Sequence, residues 1–343
     1  MAGERIAVVG ATGVVGQEIL SALLERGFPA ERLTLLGSER SLGTEVEFGE
    51  ETLEVERAGA GSFKGIALAL FATPKDASSS LAPAAQAEGA WIVDPSSAFR
   101  GNPDVPLMLP AVGISPRPER GRIVRVPSAL TALLAAVIDP LRRHFGVRQV
   151  EATALLAASS AGQRGVSELE RQTADLLCGR EVEPGAFPHR VGFNLVPQSG
   201  ELSASGISEE EAWAVEDLRA MWPEALRGVA LGVTAIQAPL FFGHAASIAV
   251  RLERGVAEGE LREALKAEAA LKVLDSPQER IYPMPMTVTA DAAVHVGRVR
   301  ALPESPDWVR LYAVIDNAGR GAALNVVEAG EALWGRALEE DEE

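Results

Sequence analysis

Apolar residues in the first 130 positions come in short unbroken runs, separated by stretches where they recur at helical spacing. Ile6-Ala7-Val8-Val9 is continuous, as in a parallel strand buried on both faces. Gln17 to Arg26 sets Ile19, Leu20, Leu23 and Leu24 on one helix face, with Gly27 as a stop. Leu33 to Leu36, Ile66 to Phe71, Trp91 to Val93 and Ile123 to Val126 repeat the strand pattern, and Leu81 to Glu88 reads as a helix among them. This alternation predicts an α/β domain with a Rossmann-like doubly wound parallel sheet.

From Thr131 the pattern changes. A helix from Ala132 to Phe145 leads into longer strands at Gln149 to Ala158, Gly232 to Ala238, Ala245 to Glu253, Met286 to Ala290, Val294 to Ala301 and Val309 to Ile315. Alternation in Ser247-Ile248-Ala249-Val250-Arg251-Leu252 implies a sheet with one face against helices. Helices near Ser167 to Leu177, Glu209 to Met221 and Glu258 to Leu271 can cover that face. The predicted organisation is a nucleotide domain over 1–130 and an α+β domain of dimerisation and catalytic type over 131–317.

Composition narrows the class. A net charge of −16 disfavours generic binding to nucleic acid or to anionic membranes. Part of it is an acidic tail, Glu339-Glu340-Asp341-Glu342-Glu343, expected to be a solvated, frayed end. No apolar run reaches the ~20 residues of a bilayer span. Met1-Ala2-Gly3-Glu4-Arg5 leads straight into a strand, with no charged-then-apolar leader. The single cysteine, Cys178, rules out an intrachain disulfide. Its expected place is a buried structural position on a helix. A cytoplasmic protein is expected, and no metal site.

Chemistry enters at the first turn. Strand Ile6–Val9 runs into Gly10-Ala11-Thr12-Gly13-Val14-Val15-Gly16 and then a helix. Glycines three apart allow a sharp turn and a close backbone approach to a pyrophosphate, and the helix start supplies free N–H groups. The bland alternative is a tight turn with no ligand. After the second strand comes Gly37-Ser38-Glu39-Arg40-Ser41. Arg40, Ser38 and Ser41 suit a ribose 2′-phosphate, so NADP is preferred to NAD, although Glu39 argues the other way.

The chain resembles aspartate-semialdehyde dehydrogenases along nearly its whole length. The resemblance rests on Gly10 to Gly16, Asp94-Pro95-Ser96-Ser97-Ala98-Phe99-Arg100, Asp104-Val105-Pro106-Leu107 with Pro110, Gly243-His244, Val296-Gly297-Arg298, and Asp316-Asn317 with Gly321-Ala322-Ala323-Leu324-Asn325. It implies a homodimer, a last helix (321–336) packed back on the first domain, and reductive dephosphorylation of an aspartyl phosphate. It adds Ser159, Ser160 and Asn317 to the cofactor contacts and makes Arg100 the phosphate ligand.

The same resemblance exposes losses. The family nucleophile, a cysteine, falls at Ala129 in Val126-Pro127-Ser128-Ala129-Leu130-Thr131, and a methyl group cannot form a thiohemiacetal. The base falls at His244 and is retained, as a remnant. The arginine for the substrate carboxylate falls at Gln237, and the glutamine that orients the acyl intermediate falls at Leu156. An acidic and basic helix pair aligns with Asp217 and Ala220, so the basic member is missing. Linked losses of this kind resemble the Usg-type paralogues of the dehydrogenase.

Three functions compete. The leading one is an NADP-binding homologue without phosphorylating dehydrogenase activity, in a binding or regulatory role, with an active dehydrogenase chain as a candidate partner. The alternative is an oxidoreductase acting on another aldehyde or oxo group with NADP, His244 donating the proton. The last is an active parent enzyme using Ser128 or Thr131, neither of which has a visible activating base.

Overall fold

The computed structural model describes residues 4–288 and 291–340, with side chains described as far as Trp334. Of the segments named above, Met1-Ala2-Gly3, Thr289-Ala290 and Asp341-Glu342-Glu343 lie outside the described residues. The chain divides into two units: residues up to Pro127 together with the segment from Ala322 onward, and Ser128–Gly321.

The first unit starts with strand β1 (Arg5–Val9), whose last four residues are buried, and helix α1 (Val14–Glu25). β2 (Leu33–Gly37) follows, then β3 (Glu45–Phe48) and β4 (Glu51–Arg57). β5 (Ile66–Phe71), α2 (Lys75–Ala87), β6 (Trp91–Asp94) and β7 (Ile123–Arg125) complete this stretch. The sheet order is β3-β4-β2-β1-β5-β6-β7. All neighbours are parallel except the β3–β4 hairpin. Strand order runs outward in both directions from β1, so the crevice at the carboxyl end of β1 is the switch point where such sheets take ligands.

The β3–β4 hairpin was not expected from the sequence. Its strands are rich in glutamate, and in β4 only Val55 is buried, so the apolar alternation is too sparse to read.

The second unit begins with α3 (Ala129–Phe145) and β8 (Val147–Leu156), then α4 (Gly162–Leu177) and α5 (Glu209–Met221). β9 (Ala230–Gln237), β10 (His244–Leu252), α6 (Glu258–Lys266), β11 (Leu271–Val273), β12 (Val294–Leu302) and β13 (Ser305–Ile315) follow. They form a mixed sheet in the order β11-β12-β13-β10-β8-β9. Helices α3, α5 and α6 pack on one face. Glu151, Thr153, Ser247 and Arg310 are exposed on the other.

Two expectations fail here. Met286 was expected to open a strand, but Pro285–Thr287 is a 3-10 turn. Pro283 and Pro285 lack the N–H groups a sheet ladder needs. The first long helix starts at Ala129 and not Ala132, because Ser128 caps it, its Oγ accepting from Thr131 N at 3.3 Å.

The chain then returns to the first unit. A π-helical turn (Gly319–Ala323) leads into α7 (Leu324–Glu340). Val326, Val327, Ala329, Leu333 and Trp334 join Ile6, Val8, Ile19 and Leu23 in one core. Each large apolar side chain buried there contributes about 1.5–3 kcal/mol. Arg26 pairs with Glu331 at 2.7 Å between α1 and α7. No helix among the described residues is long and apolar enough to cross a membrane.

The turn after β1 depends on glycine for space. A Cβ at Gly16 would lie 2.2 Å from the Gly10 carbonyl oxygen, whereas one at Gly59 would meet nothing within 4 Å. Gly16→Ala is therefore expected to destabilise the protein by about 1–3 kcal/mol, and Gly59→Ala by less than about 0.5 kcal/mol. Urea unfolding of the two variants checks the contrast.

Candidate functional site

In the first unit, the turn between β1 and α1 is built from backbone. Gly10 has φ +89° and its N–H donates to the Leu36 carbonyl at 2.7 Å. A Cβ there would strike the Ala72 carbonyl oxygen at 2.6 Å. Gly13 N donates to the Gly10 carbonyl at 3.0 Å, closing the turn. Gly13 then caps α1 without a side chain, and the first turn of α1 holds no acidic residue. Val14 and Val15 thus begin a helix whose leading N–H groups have no side-chain acceptor, an arrangement suited to an anion. The cradle fits a dinucleotide pyrophosphate.

The loop after β2 lies beside this turn. Thr12 Oγ1 and Ser41 Oγ are 3.2 Å apart and hydrogen bonded. Ser38 and Arg40 are exposed. Glu39, also exposed, pairs with Arg57 at 3.2 Å. Arg100 is half-buried in the same unit, at the end of a loop that Asp94 organises. Asp94 Oδ1 accepts from Ser96 N at 2.8 Å and from Ser96 Oγ at 2.5 Å. Burial raises the Asp94 pKa, against these hydrogen bonds.

The remaining candidates gather at one end of the second unit. Leu156 and Gln237 pair in register at the ends of β8 and β9, and Leu155 pairs with Ala245 next to His244. Asn317 follows β13, whose Ile315 pairs with His244. Asn317 Oδ1 accepts from Gly243 N at 2.9 Å and from Ser159 Oγ at 3.1 Å, and its Nδ2 lies 2.9 Å from Ser159 Oγ. The polar groups of Ser159 and Asn317 are thus spent largely on one another and on the Gly243 turn.

Gln237 is equally committed. Its Nε2 donates to the Leu156 carbonyl at 2.9 Å, and its Oε1 accepts from Ser160 Oγ at 3.2 Å. The Gln237 and Leu156 side chains are both buried. His244 is buried, and its Nδ1 accepts from Ala157 N at 3.1 Å. That bond fixes the neutral tautomer with its proton on Nε2. Desolvation lowers the His244 pKa from 6.5 to about 3. At neutral pH this imidazole is a hydrogen-bond donor through Nε2. The alternative reading has His244 donate the proton, and with Nδ1 taken by Ala157 N that proton could come only from Nε2.

Ala129 is half-buried at the head of α3. A Cβ on Gly321 would come within 2.6 Å of the Ala129 Cβ. Gly321 N in turn donates to the Asp316 carbonyl at 2.7 Å. The neighbouring hydroxyls of Ser128 and Thr131 are 3.1 Å apart and serve the helix cap. Asp217 is buried on α5, and Ala220 is exposed there. Cys178 is exposed at the end of α4, which corrects the expectation of a buried structural cysteine. Burial is the general habit of a free cysteine, but here even the neighbouring Leu177 is 75% exposed.

Sequence reasoning named Leu156, Gln237 and His244, and Ser160 as a cofactor contact, but missed what holds them: the Ser160 hydroxyl on Gln237 and the backbone of Ala157 and Leu156. Backbone donors and acceptors leave no mark in a sequence. The Gly321 contact could have been suspected from a glycine just past the last strand.

A glycine-cradled switch point on one unit, joined to a separate α/β unit with one bare sheet face, defines a dinucleotide-binding protein with a dimerisation domain. The families matched agree: residues 5–115 match the semialdehyde dehydrogenase NAD binding domain, and residues 138–319 match the semialdehyde dehydrogenase dimerisation domain. The chain is 33% identical to an aspartate-semialdehyde dehydrogenase of Bacillus subtilis, over 96% of this chain and 97% of that one. It is 38% identical to a USG-1 protein homolog of Pseudomonas aeruginosa, over the same shares. The crystal structure of aspartate semialdehyde dehydrogenase II from Vibrio cholerae, complexed with ASA, is similar at TM-score 0.90 and 28% identity, covering 97% of this chain and 98% of that one. This chain belongs to the aspartate-semialdehyde dehydrogenase family.

The His244 site makes a pH prediction. The folded pKa of about 3 lies below the ordinary 6.5. Between those values the unfolded chain binds the extra proton, so stability falls as pH drops through that window. His244→Gln keeps an acceptor for Ala157 N without titrating. Denaturant unfolding should show wild type losing about 1.4 kcal/mol per pH unit relative to His244→Gln, between roughly pH 6 and pH 4. Parallel pH profiles would contradict a buried neutral histidine.

Proposed function

We propose that this protein is a homodimeric, NADP-binding member of the family that lacks phosphorylating semialdehyde dehydrogenase activity and serves a binding or regulatory role. The observation that carries the proposal is Ala129. The family resemblance sets the nucleophilic cysteine at this residue, and its side chain is a methyl group at the head of α3. Losing a covalent nucleophile can reduce rate by about 10⁶-fold. Cys178, the C-cap of α4, is the only thiol in the chain.

Two further features support the reading. Gln237 occupies the substrate-carboxylate position with its amide used by Leu156 and Ser160, and a neutral amide cannot form the bidentate ion pair an arginine forms. Leu156 brings a buried apolar side chain to the position that would orient an acyl group. Both changes accompany Ala129, as a natural paralogue of Usg type would show, and the USG-1 homologue is among the relatives of this chain.

On this proposal the residues from Gly10 to Gly16 hold the pyrophosphate on the N-terminus of α1, and Arg40, with Ser38 and Ser41, holds a 2′-phosphate. Arg57 draws off the carboxylate of Glu39 that would otherwise favour a free 2′-hydroxyl. When bound, the nucleotide would supply hydride-transfer chemistry, which this chain would not use on an acyl phosphate. The bare face of the six-stranded sheet would be covered by a second copy.

Two measurements test the reading. In isothermal titration, NADP should bind about tenfold more tightly than NAD, and Arg40→Ala should remove that preference while leaving NAD binding intact. Failure of both nucleotides to bind at high micromolar concentration would refute the nucleotide site.

The second is repair of the site. Ala129→Cys returns a thiol to a helix start, where its pKa should fall. Orientation contributes several kcal/mol, so the single change should leave turnover of aspartate semialdehyde near background. Adding Gln237→Arg and Leu156→Gln should give measurable NADPH formation with phosphate present. Robust turnover from Ala129→Cys alone would show that the substrate site is intact.

A further inference from the structure

The loop that carries Arg40 is tied to the strand outside it. Gly37 ends β2 and pairs in parallel register with Arg57, the last residue of β4. Ala58 N donates to the Gly37 carbonyl at 2.8 Å, and Gly43 N donates to the Val55 carbonyl at 2.9 Å, so both ends of the loop are fixed to that strand. Between them Ser41 N donates to the Ser38 carbonyl at 2.9 Å and closes a tight turn. A Cβ on Gly37 would lie 2.8 Å from Val55 Cγ1 and 3.1 Å from Ser41 Cβ, so loop and strand are close enough to demand glycine there.

This packing sets Arg57 at the carboxyl end of the sheet, one strand out from the end of β2. In such sheets the residues just past the second strand meet the ribose 2′ group of a dinucleotide. Three charged residues flank that place: Glu39 and Arg40 from the loop, and Arg57 from β4. Thr12 Oγ1, in the glycine turn, is hydrogen bonded to Ser41 Oγ at 3.2 Å, which joins the loop to the pyrophosphate cradle.

Glu39 and Arg57 form an ion pair at 3.2 Å, with side chains 68% and 71% exposed. A pair so open to water contributes little to stability. Its carboxylate offers one negative charge. A phosphate monoester offers up to two, with three acceptor oxygens that match a guanidinium fork. A 2′-phosphate is therefore the stronger partner for Arg57.

We propose that Arg57 is a second ligand for the 2′-phosphate of NADP, and that the Glu39 carboxylate competes with that phosphate for its guanidinium. The inference rests on the nucleotide site proposed above. It adds to Arg40 a specificity residue from another strand, and it makes Glu39 the group that limits the preference for NADP. When NADP binds, one anion leaves Arg57 and a more highly charged one takes its place. NAD brings no anion to this position, so Arg57 stays with Glu39 when NAD binds.

Isothermal titration of the whole chain with NADP and NAD tests this, with adenosine 2′,5′-bisphosphate and AMP as smaller probes of the same phosphate. All the substituted side chains are exposed, so folding is not at stake. Wild type should prefer NADP about tenfold, and Glu39→Gln, by releasing Arg57, should raise the preference to about a hundredfold. Adding Arg57→Ala to Glu39→Gln should return it to about tenfold. Arg57→Lys in that background should keep part of the gain, as a point charge without the fork. Arg57→Ala alone should erase the preference, because Glu39 is then unopposed. A raised preference that survives Arg57→Ala in the Glu39→Gln background would show that Glu39 acts by repulsion alone, and would overturn the role of Arg57. An unchanged preference in Glu39→Gln, with both nucleotides still bound, would overturn the competition while leaving the nucleotide site standing. Failure of both nucleotides to bind the wild type would refute the site itself, and this inference with it.

Discussion

One buried amide holds the second unit's candidate site together. Asn317 accepts from the Gly243 N–H and the Ser159 hydroxyl, and so ties the end of β13 to the β9–β10 turn and to the segment after β8. His244 begins β10 immediately after Gly243, and its Nδ1 takes the N–H of Ala157 from that same segment. Gln237 closes the set by donating to the Leu156 carbonyl. Without the Asn317 clamp, two buried donors, Gly243 N and Ser159 Oγ, would lose their acceptor, at about 1–3 kcal/mol each. The clamp is scaffold, and it survives whether or not chemistry occurs beside it.

That separation of scaffold from chemistry explains how a family member can stand with these substitutions. Ala129, Gln237 and Leu156 are each well accommodated: the methyl against Gly321, the amide between two polar partners, the leucine in the core. A buried arginine at 237 would need a carboxylate to accompany it, whereas glutamine is satisfied by the backbone and one serine. On the proposed reading, selection on substrate chemistry has lapsed while selection on packing and on the nucleotide turn has not.

The sequence disclosed most of this architecture where burial is two-sided or periodic. β5 and the last four residues of β1 are unbroken apolar runs, β2 is interrupted only by Thr34, and α1 repeats at helical spacing. The glycines of the first turn are legible because a Cβ at Gly10 or Gly16 would collide with backbone. The β3–β4 hairpin stayed hidden because its apolar face is short, Val46, Phe48, Leu53 and Val55, and is set among glutamates. The 3-10 turn at Pro285–Thr287 was mistaken for strand because Met286 and Val288 look apolar, yet Met286 is 84% exposed. The identities of His244, Gln237 and Leu156 could be read, but the tautomer of His244 could not. It is set by the N–H of Ala157, a group every residue but proline carries.

The central claim is that this fold binds its nucleotide without the covalent step. The most direct measurement is intact-protein mass spectrometry after incubation with NADP and aspartate semialdehyde, with phosphate omitted so that an acyl enzyme would persist. The account predicts an unmodified mass. An acyl adduct that maps to Ser128, Thr131 or Cys178 would contradict it.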